Sequence, residues 1–513
     1  MDNNFTIKVG NVWLFICGTM SEQLRKTIQS KLSFVVPGFK YTPTYKNMVE
    51  RAEAEGRPVE WDGTKTVARM TQYGLRCPTG LLSYIKEIFD AKQISYEYEE
   101  LRSPAVRSEG WSVEGFTLFD YQEEANKVIK AKKRGVLEMS TGSGKTLLIL
   151  KNIVDIACFP AVFYVPNTDL LKQAYDTFTK HVRYNGKPVE IGRVGAGHCE
   201  IRPITISTVQ SAQIAVEGKY TKYKYDDVEV KEKEKLSAED KARVAEMVRT
   251  AQYVYSDECQ HVSSDTIQAV LNNSHGALYR IGGSASPWRD DGLDLLIEAC
   301  FGKRLYKVDA SFLIRRNPPR LVHPEITFNH FRWFLGKVAN YQELYTKFVV
   351  ENDFRNQWIA QRALYHISQN RPTIILVKWA KHASILKSLI SGAEVLTSTG
   401  EDAKTTEQRK TVLNQMRERK LMCIIGTTLL DEGIDIPSAG AGIFAGAGKS
   451  STRALQRIGR FIRIDPADPD KKVAYIEEFY DHCRWLNLHA QARRHIYETE
   501  PEFKISDKIV EVK

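Results

Sequence analysis

Met139-Ser140-Thr141-Gly142-Ser143-Gly144-Lys145-Thr146 is the stretch whose reading decides the fold. It follows an apolar run, Gly135-Val136-Leu137-Glu138-Met139, that reads as a buried strand, and it precedes Leu147-Leu148-Ile149-Leu150-Lys151, the first turns of a helix. Strand, glycine-rich turn, Lys-Thr and helix are the parts of a phosphate cradle. Small residues let backbone N–H groups close around phosphate oxygens, and the helix N-terminus adds partial positive charge. Lys145 has the reach for the β- and γ-phosphates, and Thr146 places a hydroxyl for Mg²⁺. Thr141, Gly142, Ser143 and Gly144 supply the loop itself. The general pattern wants a glycine where this chain has Met139.

Working outward, 513 residues exceed what one core supports, so several domains are expected. A 42% hydrophobic and 27% charged composition is that of a globular protein, not of a disordered, collagenous or low-complexity one. No apolar run approaches the roughly 18–20 residues of a membrane span. The N-terminus lacks a basic leader, so a cytoplasmic protein is expected. Eight scattered cysteines without a Cys-x-x-Cys pair argue against structural zinc and a disulfide framework. A net charge of +10 is compatible with a polyanionic partner but does not require one.

Strands and helices alternate from residue 116 to about 310 and again from Pro324 to about Phe479, the pattern of parallel sheets wrapped by helices. The expected fold is α/β: two tandem RecA-like parallel-sheet domains behind a small N-terminal α+β domain. The expected boundaries are 1–110, 111–312, 313–485 and a C-terminal extension, 486–513. Ser103 to Gly115 reads as a linker, and Tyr341–Ser368 as one helix. Only the first α/β set carries a phosphate loop, so a ligand is expected between the halves. The N-terminal unit is either a structural appendage or a domain recognising substrate.

Three further groups carry chemistry. Asp257 and Glu258 follow the hydrophobic strand Tyr253-Val254-Tyr255. An acid at a strand's carboxyl end can hold Mg²⁺, and an adjacent one can orient and deprotonate an attacking water; Asp257 is assigned to metal and Glu258 to water. Before the loop lies Phe119-Asp120-Tyr121-Gln122, where Gln122 offers the donor–acceptor pair that reads adenine and an aromatic neighbour a ring to stack on the base. Late in the chain, Gln456, Arg460 and Arg463 share a face if the segment is helical, and a guanidinium fork aimed at phosphates acts as an arginine finger. Gly446-Ala447-Gly448-Lys449-Ser450 imitates a phosphate loop but leads into the arginine helix, and reads as a strand-to-helix turn.

These pieces resemble, in order, the motifs of superfamily 2 helicases. Tyr121-Gln122 resembles the adenine-reading motif, Ser140 to Thr146 motif I, Asp257 to Gln260 motif II, Ser284-Ala285-Ser286 motif III, Gly426 to Pro437 motif V and Gln456 to Arg463 motif VI. Val165-Pro166-Asn167 is similar to motif Ia, Gly192 to Gly195 loosely to Ib, and Ser207 to Gln210 to the next DNA-contact motif. The resemblance implies an ATP hydrolase using ATP and Mg²⁺. It implies that Lys145, Glu258, Gln456, Arg460 and Arg463 are catalytic and that Gly433 and Asp435 approach the nucleotide. Gln260, Ser284 and Ser286 would couple hydrolysis to movement. Pro166, Thr168, Thr208, Gln210, Val377, Lys378 and Thr427 would lie along a nucleic-acid strand, met largely through backbone groups. Gln260 stands where many relatives have His, and Ser286 where they have Thr. Trp288-Arg289-Asp290 fits the XPB-like and type III restriction branch.

Phe34 to Phe39, Trp61-Asp62-Gly63 and Tyr73-Gly74-Leu75 resemble the N-terminal domain of phage UvsW-type helicases. That implies a DNA helicase or translocase, phage-encoded, monomeric or weakly oligomeric, acting on single-stranded, forked or branched DNA or R-loops in the host cytoplasm. The alternatives are the motor of a restriction or defence complex, an RNA helicase, or a strand-annealing protein switched by ATP. The 216–250 excursion interleaves Lys219, Lys222 and Lys224 with Tyr220, Tyr223 and Tyr225. That run reads as an ordinary β-ribbon, with base stacking as the alternative, and the Lys/Glu run from Lys231 to Lys235 as a solvated helix start. Arg493-Arg494-His495 is a second candidate for DNA contact.

Overall fold

The computed structural model describes residues 5–59, 61–217, 236–263, 265–288, 292–332, 338, 340–397, 406–427, 436–446, 448 and 451–511. The chain forms two compact units, one of residues 1–139 and 144–307, the other of residues 140–143 and 308–513.

The first unit opens with a five-stranded sheet in the order Arg69–Thr71, Gly74–Pro78, Trp13–Cys17, Phe5–Val9, Tyr96–Glu100. Strict alternation gives it one dry face: Phe5, Ile7, Val9, Leu14, Ile16, Leu75 and Cys77 are buried. They pack on helices Glu22–Lys31 and Leu82–Ala91 through Leu24, Ile28, Ile85 and Phe89. Ser21 starts the earlier helix by accepting from the Leu24 N–H at 3.2 Å. This small sheet is seated on the parallel sheet that follows. A Cβ at Gly80 would fall 2.1 Å from the Glu298 carbonyl oxygen, so only glycine permits that approach. Tyr84 donates to Glu298, Lys303 pairs with Glu87, and Arg134 donates to the carbonyls of Asn11 and Ala277.

The parallel sheet has eight strands, in the order His198–Glu200, Gly192–Gly195, Ile204–Thr208, Ala161–Val165, Tyr253–Asp257, Tyr279–Ser284, Arg134–Met139, Arg304–Val308. The five pairings from Gly192–Gly195 through Arg134–Met139 are all parallel. Ala161–Val165 and Ile204–Thr208 are buried at every position, as covering both faces requires. The strand order puts the carboxyl ends of Arg134–Met139 and Tyr253–Asp257 at one edge, with Tyr279–Ser284 between them. Part of the expected linker is structured. Trp111–Val113 pairs antiparallel with Val182–Tyr184, because the Trp111 ring packs on Phe159 at 4.5 Å and Tyr184 at 5.1 Å.

The second unit holds a seven-stranded sheet, in the order Glu394–Leu396, Cys423–Gly426, Thr373–Leu376, Ala441–Ile443, Val473–Asp481, His323–Phe331, Lys504–Val510, with every pairing parallel. Residues 486–513 are therefore not a separate extension. Helix Arg484–Glu498 leads into Lys504–Val510, which pairs along His323–Phe331 and puts Lys504 and Lys508 on the open edge. The single helix expected over Tyr341–Ser368 is three pieces, Tyr341–Tyr345, a π-helical turn Thr346–Val350, and Asp353–Ser368. Asn352 breaks it, because its side chain accepts from the Arg355 N–H and starts a new helix.

Candidate functional site

The phosphate-loop residues sit where strand Arg134–Met139 ends and helix Lys145–Ile156 begins. Gly142 (φ +84°) and Gly144 (φ +76°) take left-handed backbone, which turns successive N–H groups to one side. A Cβ at Gly144 would fall 2.4 Å from the Gln122 amide nitrogen. Gln122 is buried, accepts from the Phe119 N–H at 2.9 Å and donates to the Gly144 carbonyl at 3.4 Å, so it braces the loop from behind. Tyr121 is buried and stacked on Phe119. Of the two aromatic neighbours of Gln122, the partly exposed ring is Phe119, whereas Tyr121 is covered. Lys145 donates to the Met139 carbonyl at 2.7 Å, and Thr146 lies in the first helical turn.

Asp257 closes its strand, and Glu258 follows at φ +49°, a conformation that a non-glycine residue adopts only under constraint. The constraint is visible. Gln260 donates to Glu258 at 2.7 Å, Ser284 lies 3.5 Å from the same oxygen, and the Ser284 hydroxyl accepts from the Ser286 N–H at 3.1 Å. Gln260 thus fills the departure from the usual His with a donor aimed at Glu258, and Ser284 joins the same cluster. Burial, then the neighbouring Glu258 charge, push the Asp257 carboxyl up to about 6, while Lys145 pulls it back. Tyr255 donates to Asp257 at 3.1 Å. A buried acid held part-neutral beside a second acid fits a hard cation, and the hydroxyl of Thr146 is oxygen of the same kind. The left-handed glycine nest and Lys145 fit a triphosphate.

Sequence reasoning missed two supports. Glu138, one residue before Met139, accepts from Trp288 Nε1 at 2.7 Å and from Arg304 at 2.9 Å, tying the strand below the loop to the segment after motif III. A glutamate inside an apolar strand was the available signal. The other is Lys471, in the second unit.

There, Gln456 and Arg460 lie on helix Ser451–Phe461. Arg463 does not: the helix ends first, and Arg463 forms an antiparallel bridge to Leu321. Buried Lys471 decides this. Its ammonium donates to the carbonyls of Phe461 at 2.8 Å, Arg463 at 3.1 Å and Pro437 at 2.6 Å, capping the helix end. Gly433, Asp435, Arg289 and Asp290 lie outside the described residues, as do 218–235, which hold the Lys/Tyr run, and Ala447, Lys449 and Ser450.

Among the residues expected along a nucleic-acid strand, Gln210 donates to the Pro166 carbonyl at 2.9 Å, and Thr168 opens a helix capped by Asn167. Thr208 is buried and shares a 2.6 Å hydrogen bond with Ser211. Val377 and Thr427 are buried too, with N–H groups donating to Gly426 and Leu396. These three side chains face the core. Lys378 is exposed, its ammonium over the rings of Tyr341 and Tyr345 at 5.8 and 5.6 Å. Arg493 is buried and committed to Glu478 and the carbonyls of Gly448 and Phe479, which removes it from the DNA-contact candidates, while the half-buried Arg494 pairs with Asp507 and Glu498.

Two tandem RecA-like sheets, the first with a phosphate loop and paired acids at the carboxyl ends of two strands one apart, define a nucleotide-driven motor. The family model "Type III restriction enzyme, res subunit" matches residues 115–289, and "Helicase conserved C-terminal domain" matches 356–465. The chain belongs to the superfamily 2 helicases, ATP-dependent enzymes. It is similar to DNA 3'-5' translocase XPB2 of Sulfurisphaera tokodaii, 23% identical over 77% of this chain and 88% of that one. It is also similar to the inferred helicase 22 of Sulfolobus islandicus filamentous virus, 25% identical over 78% of this chain and 76% of that one. Among solved structures, S. cerevisiae Dbp5 bound to RNA and ADP BeF3 aligns over 77% of this chain and 90% of that one, at 13% identity and a TM-score of 0.51, a likeness of fold. No helix among the described residues is long and apolar enough to cross a membrane.

Proposed function

We propose that this helicase is a DNA-dependent ATPase that translocates on DNA and remodels branched DNA or R-loops in recombination, repair or replication. The constellation of Lys145, Asp257 and Glu258 carries the reading, since it gathers phosphate, cation and water-activating groups in one domain. In this reading the backbone of 141–146 and Lys145 hold the β- and γ-phosphates of ATP. Glu258, steadied by Gln260 and Ser284, takes the proton of the attacking water as the bond between the β- and γ-phosphoryl groups breaks. Mg²⁺ held by Thr146 and Asp257 would offset charge on the phosphates. Arg460 and Arg463 are proposed as the arginine fingers, with Gln456 beside them and Gly433 and Asp435 at the nucleotide. Two observations favour DNA over RNA: the relative named a DNA translocase, and the Trp288 segment of the XPB-like branch. The UvsW-like N-terminal layout favours branched substrates and a phage origin.

Lys145→Ala is the test. It should lower DNA-stimulated ATP turnover by about 10² or more while leaving DNA affinity within a few-fold. A panel of forked, four-way, R-loop, plain duplex and RNA substrates should show the largest stimulation with a branched DNA. Normal turnover in the variant, or stimulation by RNA alone, would refute the reading.

A further inference from the structure

The N-terminal sheet has a second face that none of the core helices covers, and its make-up is unusual for a solvent-facing surface. Register sets Arg69 opposite Arg76, Arg76 opposite Phe15, Phe15 opposite Lys8, and Lys8 opposite Glu99, in one row across all five strands. Trp13 shares the face, with the Arg76 guanidinium 4.4 Å above its ring. Tyr73, at the hairpin joining Arg69–Thr71 to Gly74–Pro78, is 67% exposed and meets Phe15 edge-on at 6.5 Å. Solvent faces of antiparallel sheets are ordinarily polar. Here two partly exposed aromatics, Trp13 and Phe15, lie mid-sheet.

The charge is as unusual. Like charges directly opposite one another destabilise a sheet, yet Arg69 and Arg76 are direct partners. Among the described residues neither has an acidic partner, whereas Lys8, at the other end of the row, is paired to Glu99 at 2.9 Å. The two unneutralised guanidiniums and the three rings therefore cluster on the half of the sheet formed by Arg69–Thr71, Gly74–Pro78 and Trp13–Cys17.

We propose that this half-face is a stacking platform for single-stranded nucleic acid, with bases on Trp13, Phe15 and Tyr73 and phosphates on Arg69 and Arg76. It rests on the nucleic-acid reading above. Flat rings on an open sheet accept any base by its face, and cations beside them follow the backbone. A duplex hides its base faces in the stack, so the surface suits a strand that is already separated. Seated on the first RecA-like domain through Gly80, Tyr84 and Arg134, the platform would hold such a strand at a fixed distance from the motor.

The test uses the full chain and a labelled oligothymidine of about 20 nucleotides, read by anisotropy over a salt series, with a duplex of equal length alongside. Arg69→Gln with Arg76→Gln should weaken single-strand binding about 10-fold. It should also reduce the slope of log affinity against log salt by about 1.4, which is 0.7 for each cation lost. Photocrosslinking of the native chain to an oligonucleotide carrying 5-iododeoxyuridine should mark Trp13, Phe15 or Tyr73, and this arm decides if the double variant does not fold. An unchanged salt slope, crosslinks confined to the two RecA-like domains, or weakening of duplex binding alone would overturn the proposal. If ATP turnover by the native chain ignores nucleic acid altogether, the helicase reading itself fails. If turnover responds while crosslinks miss this face, only the platform fails.

Discussion

At Asp257 the structure holds a carboxyl in a place that penalises its charge, and this has a measurable sign. Its native-state value is raised to about 6 from 3.8. The folded chain therefore keeps a proton that the unfolded chain releases between those two pH values. Stability falls as pH rises through this window, and the full cost is present above about pH 6. Asp257→Asn removes the cost. Without nucleotide or metal it should melt a few degrees above the native chain at about pH 8 and level with it at about pH 4, while losing ATP turnover. Equal melting at both pH values would show that Asp257 is not held as described. The positions of Lys145, Asp257 and Glu258 at a strand-to-helix turn and a strand end were legible because each is local: a turn with its glycines, and acids directly after an apolar strand. Which ring beside Gln122 is open was not legible. Phe119 and Tyr121 are chemically alike, and only packing buries one of them.

Helix Ser451–Phe461 shows what an element owes to residues outside it. Cations at three- and four-residue spacing suggested that Gln456, Arg460 and Arg463 share one helical face. Three carbonyls at its end instead converge on Lys471, ten residues beyond Phe461 in sequence. Lys471→Met should strand these acceptors and cost the second unit about 2–4 kcal/mol, read as a lowered unfolding midpoint in denaturant. It should also impair turnover by loosening Arg463, while ATP binding at the first domain persists. A variant as stable as the native chain would show that the cap is dispensable. The same limit hid the break at Asn352, where apolar spacing continues but a side-chain cap restarts the helix. It hid the strand Trp111–Val113 as well, since three residues carry almost no periodicity and its partner lies about 70 residues away.

For the whole molecule, a net charge of +10 spread over 513 residues is not itself a binding site. It does predict that affinity for nucleic acid, if carried by phosphate contacts, falls steeply with salt. A slope of about 3 or more in log affinity against log salt is expected, equal across sequences of the same length. A flat dependence would contradict binding through the backbone. The ion pairs of buried Arg493 and half-buried Arg494 show why net charge is a poor map: two of the most conspicuous cations in the sequence serve the interior and the edge of the second sheet.

The sequence by itself determined the α/β class, the phosphate loop, the paired acids and the order of motifs. These depend on strand-length apolar runs and on residues adjacent in the chain. Only the tertiary structure decided that 486–513 completes the second sheet, that Lys471 ends the arginine helix, that Gln260 and Ser284 meet on Glu258, and that Arg69 and Arg76 face each other over open aromatics. Each of these joins residues far apart in the chain or fixed by strand register. Local periodicity carries no record of register, because it is settled by which surfaces exclude water together.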